Sequence, residues 1–187
     1  MKKKKLTFFT AIVLVFSAIY VLSAAPADAI VSLVSPVKQE KSFWCWAATS
    51  QALIKKVKGN SNAPSQTNFV IYTLGYSTAP NIWATTAQMR SGMSNWNVTT
   101  TYTATSLNFS SVQVQIASNK KPFILIWDWT NGSLGSHAVV VNGYSTASGT
   151  DMISYWDPKD GKYYAENYSK FVLGSDRKWS ETIYNPR

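Results

Sequence analysis

The chain has 187 residues, 18 of them Lys or Arg against 9 Asp or Glu, for a formal net charge of +9. It holds one cysteine and one histidine, which excludes an internal disulfide and any metal centre built from Cys and His clusters. No stretch interleaves aromatics with a dense basic run, so nucleic acid is not an expected partner; the charge instead favours anionic surfaces such as cell walls or acidic proteins.

The first 29 residues read as a signal peptide. Lys2, Lys3, Lys4 and Lys5 form a basic head, an apolar stretch runs from Leu6 to about Leu22, and Ala27-Asp28-Ala29 is a cleavage signal with Ile30 as the new terminus. An uncleaved anchor is the alternative, because the stretch approaches the ~20 residues that span a bilayer. Cleavage leaves one domain over residues 30–187, with 14 Lys and Arg against 8 Asp and Glu and hence a net charge of +6. The expectation is a secreted, extracellular protein without stable membrane insertion, for which the cell wall is one anionic surface within reach.

Residues 30–41, with Pro36, read as extended. Ser42 is placed to cap a helix from about Phe43 to Lys58, in which Trp46, Ser50, Leu53, Ile54 and Val57 fall at helical spacing and Gly59-Asn60 is the stop. Lys55, Lys56 and Lys58 are the solvated face of that helix. Ser65 caps a second helix through Leu74, with Gly75 as its stop, and a third covers about Thr85 to Ser94.

The period then changes. Residues 97–105 alternate as a strand, and a short helix to Asn119 points Val112 and Ile116 inward. After Pro122 come "FILIWDW", "HAVVVNGY", "DMISYW", "KYYAE" and "KWSETIY", separated by turn signals at Asn131-Gly132, Gly143, Ser148-Gly149 and Asp160-Gly161. Helices first and strands later predict an α+β domain, a helical half packed on an antiparallel sheet half with a cleft between them.

Cys45 falls in the first turn of the first helix, where unpaired N–H groups and the helix dipole favour an anion and so the nucleophilic thiolate. A nearby imidazole would take and return the proton, and His137, at the start of an apolar strand, is the residue available. Asp157 is the leading candidate to orient that imidazole. Asp128, on the preceding strand, is its main rival, and Asp151 and Asp160 have weaker claims as turn residues. For an oxyanion, Cys45 offers its own N–H and Gln39, six residues upstream, a neutral side-chain amide. Taken singly, a Cys beside Trp or a His on an apolar strand is more often a core residue; the ordered set is what points to acyl transfer.

Gln39 with its step to Cys45, "CWAA" at 45–48, "SHAVVVNGY" at 136–144 and "YWDP" at 155–158 together resemble the papain-like cysteine peptidases. The chain is most similar to compact bacterial members such as secreted effector proteases of plant pathogens and leader-peptidase-like domains, from about Pro36 to Asp157. The resemblance implies a papain-like fold and an endopeptidase in which Cys45 is the nucleophile, His137 the general base and acid, Asp157 the orienting group and Gln39 part of the oxyanion hole. Trp46 would pack beneath the site. It implies protein or peptide substrates, no cofactor and no metal, and a monomer. The plant and animal enzymes carry Cys-Gly-Ser-Cys-Trp where this chain has Phe43-Trp44 before its cysteine, Asp157 stands where many relatives have Asn, and the separations are short. Few residues separate Ile30 from Gln39, so control by a separate inhibitor protein, by export or by oxidation of Cys45 is expected rather than by a prodomain. Two other classes fit the same residues: acyl transfer by a transglutaminase-like enzyme or an amidase, and a non-catalytic papain-like binding module.

Overall fold

The computed structural model describes residues 30–31, 34–133 and 135–187; the expected signal segment lies outside the described residues. The helical half consists of α1 (Cys45–Lys58), α2 (Gln66–Leu74) and α3 (Thr86–Asn95). Ser65 accepts from the Asn68 N–H, Gly75 ends α2 in the left-handed conformation, and Thr85 forms a full capping box with Gln88. The later elements are β2 (Thr101–Thr103), α4 (Phe109–Gln113) with a π-helical turn over Val114–Ser118, β3 (Phe123–Trp129), β4 (Ser136–Ser145), β5 (Met152–Asp157), β6 (Lys162–Asn167), α5 (Tyr168–Val172) and β7 (Arg177–Tyr184). A short β1 at Ile30–Val31 precedes them all.

The strands form one antiparallel sheet in the order β2-β7-β3-β4-β5-β6. β1 pairs with Gly143 and Tyr144 of β4, past Val141 where the pairing of β4 with β3 stops. The sheet is covered on both faces. Leu53, Ile54, Phe69, Met89 and Met93 from α1 to α3 pack with Ile124, Ile126, Ala138, Val140, Trp156 and Ile183. On the other face Phe123, Leu125, Trp127, Val139, Val141, Ile153 and Tyr155 lie with Val112, Ile116, Phe171 and Trp179. This is why β3 and β4 read as continuous apolar runs: successive side chains enter opposite cores.

The fold is therefore the expected α+β arrangement, although the strand read over residues 97–105 is confined to Thr101–Thr103 and the turn signal at Gly143 lies inside β4. The second apolar layer needs α5, which the sequence reading did not contain; it is a single turn capped by Asn167. The start of α1 also moves. Ser42 does not cap it, because Ser42 Oγ instead accepts from Asn81 Nδ2 at 2.9 Å, and the cap position falls on Trp44, which makes no side-chain cap bond.

Candidate active site

Cys45 is the first residue of α1 and is 8% exposed. The longer helices α2 and α3 and the short α4 and α5 each have a side-chain cap, whereas α1 has none. Its first N–H groups thus lack a capping acceptor at the end that carries the sulfur, and the partial positive charge there is left for an anion. The flanking tryptophans hold this end in place. Trp44 Nε1 donates to the Pro80 carbonyl at 2.8 Å and Trp46 Nε1 to the Ile82 carbonyl at 3.0 Å. Asn81 between them accepts from the Phe43 N–H at 3.0 Å. The "FWCW" stretch is apolar because it is clamped to the 80–82 segment, and the clamp leaves Cys45 lining a cavity of about 240 Å³.

His137 is the second residue of β4, between Ser136 and Ala138, which line that cavity. Its Nε2–H donates to Asp157 Oδ1 at 2.7 Å, with the two side chains 12% and 20% exposed. The same carboxylate oxygen accepts from the Lys159 N–H at 2.8 Å, which fixes it at the start of the turn after β5. With Nε2 engaged by Asp157, Nδ1 is the ring nitrogen left for Cys45. Burial pulls the imidazole pKa down, but the hydrogen bonds to Asp157 and Cys45 and the charges of both outweigh it and carry it up to about 9. Trp127 and Trp129 stack with the ring at centroid distances of 6.4 and 6.3 Å. They are two apart in "FILIWDW", so strand periodicity puts both on the face that meets the histidine.

The rival acids lie elsewhere. Asp128 is exposed and sits opposite Ser136 and Lys178 in the sheet. Asp160 bonds the Tyr164 hydroxyl and the Lys162 N–H. Asp151 is exposed and offers its backbone carbonyl to the Tyr168 N–H. Of the four acids considered, Asp157 is the one on the histidine.

Gln39 sits in the loop before α1. Its backbone N–H donates to the Pro158 carbonyl at 2.8 Å, so the turn that carries Asp157 also anchors Gln39. Its side-chain Nε2 donates to the Lys41 and Ser42 carbonyls at 2.9 and 2.8 Å, while Oε1 is buried without a partner. The reversed amide would set Oε1 against two carbonyl oxygens, so the orientation is fixed by chemistry. In this arrangement both Nε2 hydrogens are taken by the loop.

Three residues around the site were not singled out from the sequence. Gln66, Trp83 and Glu181 meet it through tertiary contacts that no local pattern encodes: Gln66 bonds the Gln39 loop, and Trp83 and Glu181 line the Cys45 cavity. Among the described residues no group of three His, Cys, Asp or Glu side chains is arranged to hold a metal ion, and no helix is long and apolar enough to cross a membrane. A thiol at an open helix end, with an imidazole bonded to a carboxylate on the facing sheet, is an arrangement suited to nucleophilic acyl transfer.

Comparison with known proteins agrees with that geometry. The chain is similar to the structure of digestive procathepsin L 3 of the Tenebrio molitor larval midgut, at 11% identity and a TM-score of 0.56, over 89% of this chain and 73% of that one. It is also similar to a structure from work on antibody cross-reactivity between the mite allergens Blo t 1 and Der p 1, at 13% identity, a TM-score of 0.59 and the same coverage. Digestive procathepsin L2 of the same larval midgut aligns at 16% identity and a TM-score of 0.51, over 87% of this chain and 68% of that one. These likenesses establish the papain-like fold. No curated protein sequence matches the chain. A family model, Peptidase C70, papain-like cysteine protease AvrRpt2, matches residues 30–174. That is most of the sequence: the chain belongs to this family of papain-like cysteine proteases and is a cysteine peptidase.

Proposed function

We propose that the chain is a secreted endopeptidase working through Cys45, His137 and Asp157. The observation that carries this reading is the His137 ring, which bonds Asp157 at 2.7 Å through Nε2 and interacts with Cys45. The Cys45 thiolate attacks the carbonyl carbon of a peptide bond, and the tetrahedral intermediate collapses to a thioester as His137 gives its proton to the leaving amine. Water, deprotonated by the same imidazole, then hydrolyses the thioester and returns the thiol. Asp157 keeps the ring oriented and favours its imidazolium form.

The oxyanion is received by the Cys45 N–H and by Gln39 Nε2. For this Gln39 turns from its loop and gives up a bond to Lys41 or Ser42. Its unpartnered Oε1 makes the resting arrangement costly by about 1–3 kcal/mol, which lowers the cost of turning. The catalytic domain is residues 30–187, exported by the basic and apolar segment before it and acting outside the cell on protein substrates. It works as a monomer, and a separate inhibitor protein is its expected control.

The test is cleavage of casein by purified residues 30–187 and by a Cys45→Ala variant. New peptide termini with the first protein and none with the second are expected. Equal cleavage by both ends the proposal. Incorporation of an amine into casein with release of ammonia, in place of new termini, would assign the scaffold to transamidation.

A further inference from the structure

Charge is unevenly divided along the chain. Residues 41–127, which include α1 to α3, carry seven Lys or Arg and no Asp or Glu. The helices therefore have no acidic side chain of their own, and such a block favours an anionic ligand. Exposed lysines hold anions diffusely, so a defined site needs donors gathered at one place.

One such place lies on α3, outside the catalytic cleft. A cavity of about 370 Å³ is lined by Ala87, Arg90, Ser91 and Ser94 of that helix and by Thr99 and Thr100 of the segment after it. None of the six lines the Cys45 cavity. Positions 87, 90, 91 and 94 are three and four apart, so they make one stripe of the helix, and three of the four are polar. Arg90 belongs to neither ion pair among the described residues. Its Nη2 donates to the Thr100 carbonyl at 3.3 Å, and the guanidinium lies 5.6 Å from the centre of the Tyr102 ring. Its Nε is buried without a partner, and so is Thr100 Oγ1. Ser91 and Ser94 are exposed, and their hydroxyls bond no described residue. Unmet donors gathered in this way point to an acceptor that the protein does not itself supply.

The acceptors nearby are already taken. The last carbonyls of α3, on Met93 and Ser94, receive the Trp96, Asn97 and Val98 N–H groups. Thr99 Oγ1 is engaged with the Arg187 carbonyl at 3.4 Å. Glu181, bonded by Thr86 Oγ1 at 2.6 Å, lines the Cys45 cavity and not this one. A cation would meet no carboxylate in the wall, and an apolar group would strand the guanidinium. We propose that this cavity binds a phosphate group, with Arg90 as its cation and the Ser91, Ser94 and Thr100 hydroxyls as neutral donors. A guanidinium with hydroxyls beside it suits a tetrahedral oxyanion better than a planar carboxylate. Ala87, Ser91, Ser94 and Thr99 are exposed, so the site is open to solvent. The group arrives as free phosphate or as the phosphodiester of a polyol phosphate chain. Bound to such a chain, the peptidase is held at an anionic surface with its cleft free. The site shares no residue with the cleft, so it stands whether or not Cys45 is the nucleophile.

The experiment is calorimetric titration of the purified chain with inorganic phosphate, at an ionic strength held constant with sodium chloride. Saturable binding is expected, weakened about tenfold or more in Arg90→Gln and about threefold in Ser91→Ala or Ser94→Ala, the scales for charged and neutral hydrogen bonds. A variant with Lys55→Gln, Lys56→Gln and Lys58→Gln should bind as the unsubstituted chain does, because those lysines do not line the cavity. Absence of saturable binding overturns the proposal, and so does a loss in the lysine variant equal to that of Arg90→Gln. The two serines are exposed, so they decide the matter if Arg90→Gln does not fold: unchanged affinity in both variants also overturns it. Acetate that displaces phosphate at equal concentration would contradict a tetrahedral site. Displacement by glycerophosphoglycerol assigns the site to a polymer chain, and displacement by glycerol 1-phosphate alone assigns it to a free or terminal phosphate.

Discussion

Gln66 grips the chain on both sides of Gln39. Its Nε2 donates to the Lys38 carbonyl at 2.8 Å and its Oε1 accepts from the Glu40 N–H at 3.0 Å, with the side chain 1% exposed. α2 thereby sets the backbone from which the Gln39 amide reaches the site. Gln39→Ala is expected to lower kcat by about 10²–10³-fold, the usual loss for one oxyanion donor. Gln66→Ala should lower kcat by roughly tenfold with KM little changed, and the double variant should match Gln39→Ala alone, as for residues acting as a unit. A Gln66→Ala loss that adds in full to that of Gln39→Ala would show a merely structural role.

His137 gives the folded protein a distinctive pH dependence. Its pKa is raised from 6.5 to about 9. A group whose folded pKa lies above its unfolded one stabilises fully below the unfolded value, here 6.5, and loses that contribution as pH rises through about 9. The gap corresponds to about 3 kcal/mol. Urea unfolding between pH 6 and pH 10 should show the wild-type chain losing stability across that window, with His137→Gln nearly flat in comparison. Parallel curves for the two proteins would contradict the assignment.

Asp157 contributes both orientation and charge, and the two can be separated. Asp157→Asn keeps an oxygen acceptor for the Nε2–H but removes the charge that helps raise the imidazole pKa. The alkaline limb of its kcat/KM profile should move to lower pH, with a smaller loss at the peak than Asp157→Ala shows. Asp157→Ala loses the orientation as well and should fall further, by up to about 10⁴-fold, the scale of loss when the acid of a triad is neutralised. An unmoved alkaline limb in Asp157→Asn would remove the carboxylate charge from the account.

Gly135 precedes the Ser136-His137 pair with φ of +87°. A Cβ there would meet Trp83 Cζ2 at 3.2 Å and Cε2 at 3.3 Å. Gly135→Ala is therefore strained in the backbone by about 1–2 kcal/mol and displaces an indole that lines the cleft. A melting temperature lower by a few degrees and a raised KM are expected. Unchanged values for both would mean that the segment relaxes freely.

Much of this was legible in the sequence, because the signals were local. Ser65 and Gly75 act at helix ends by a side chain and by the lack of one, and both stand where their chemistry predicts. The strand set was legible through its apolar β-rich runs. Ser42 misled because a side chain placed to cap found a partner across the fold, Asn81, that no spacing reveals. α5 was missed because one helical turn is too short for a periodic signal. In the site, Cys45, His137 and Asp157 were readable as chemically scarce or well-placed residues. Glu181 and Gln66 were not, since a carboxylate on a strand and a glutamine after a cap look ordinary until β7 and α2 are seen to meet the cleft and the Gln39 loop.

The central claim is that the Cys45 thiol and the His137 imidazole act as one unit. The measurement that tests it most directly is the rate of Cys45 alkylation by iodoacetamide at pH 6.5, followed by intact mass, in the wild-type chain and in folded His137→Ala. The chain has a single cysteine, so the mass change reports that sulfur alone. The account predicts rapid single labelling of the wild-type protein and a rate at least about tenfold lower without the imidazole. Equal rates in the two proteins would contradict it.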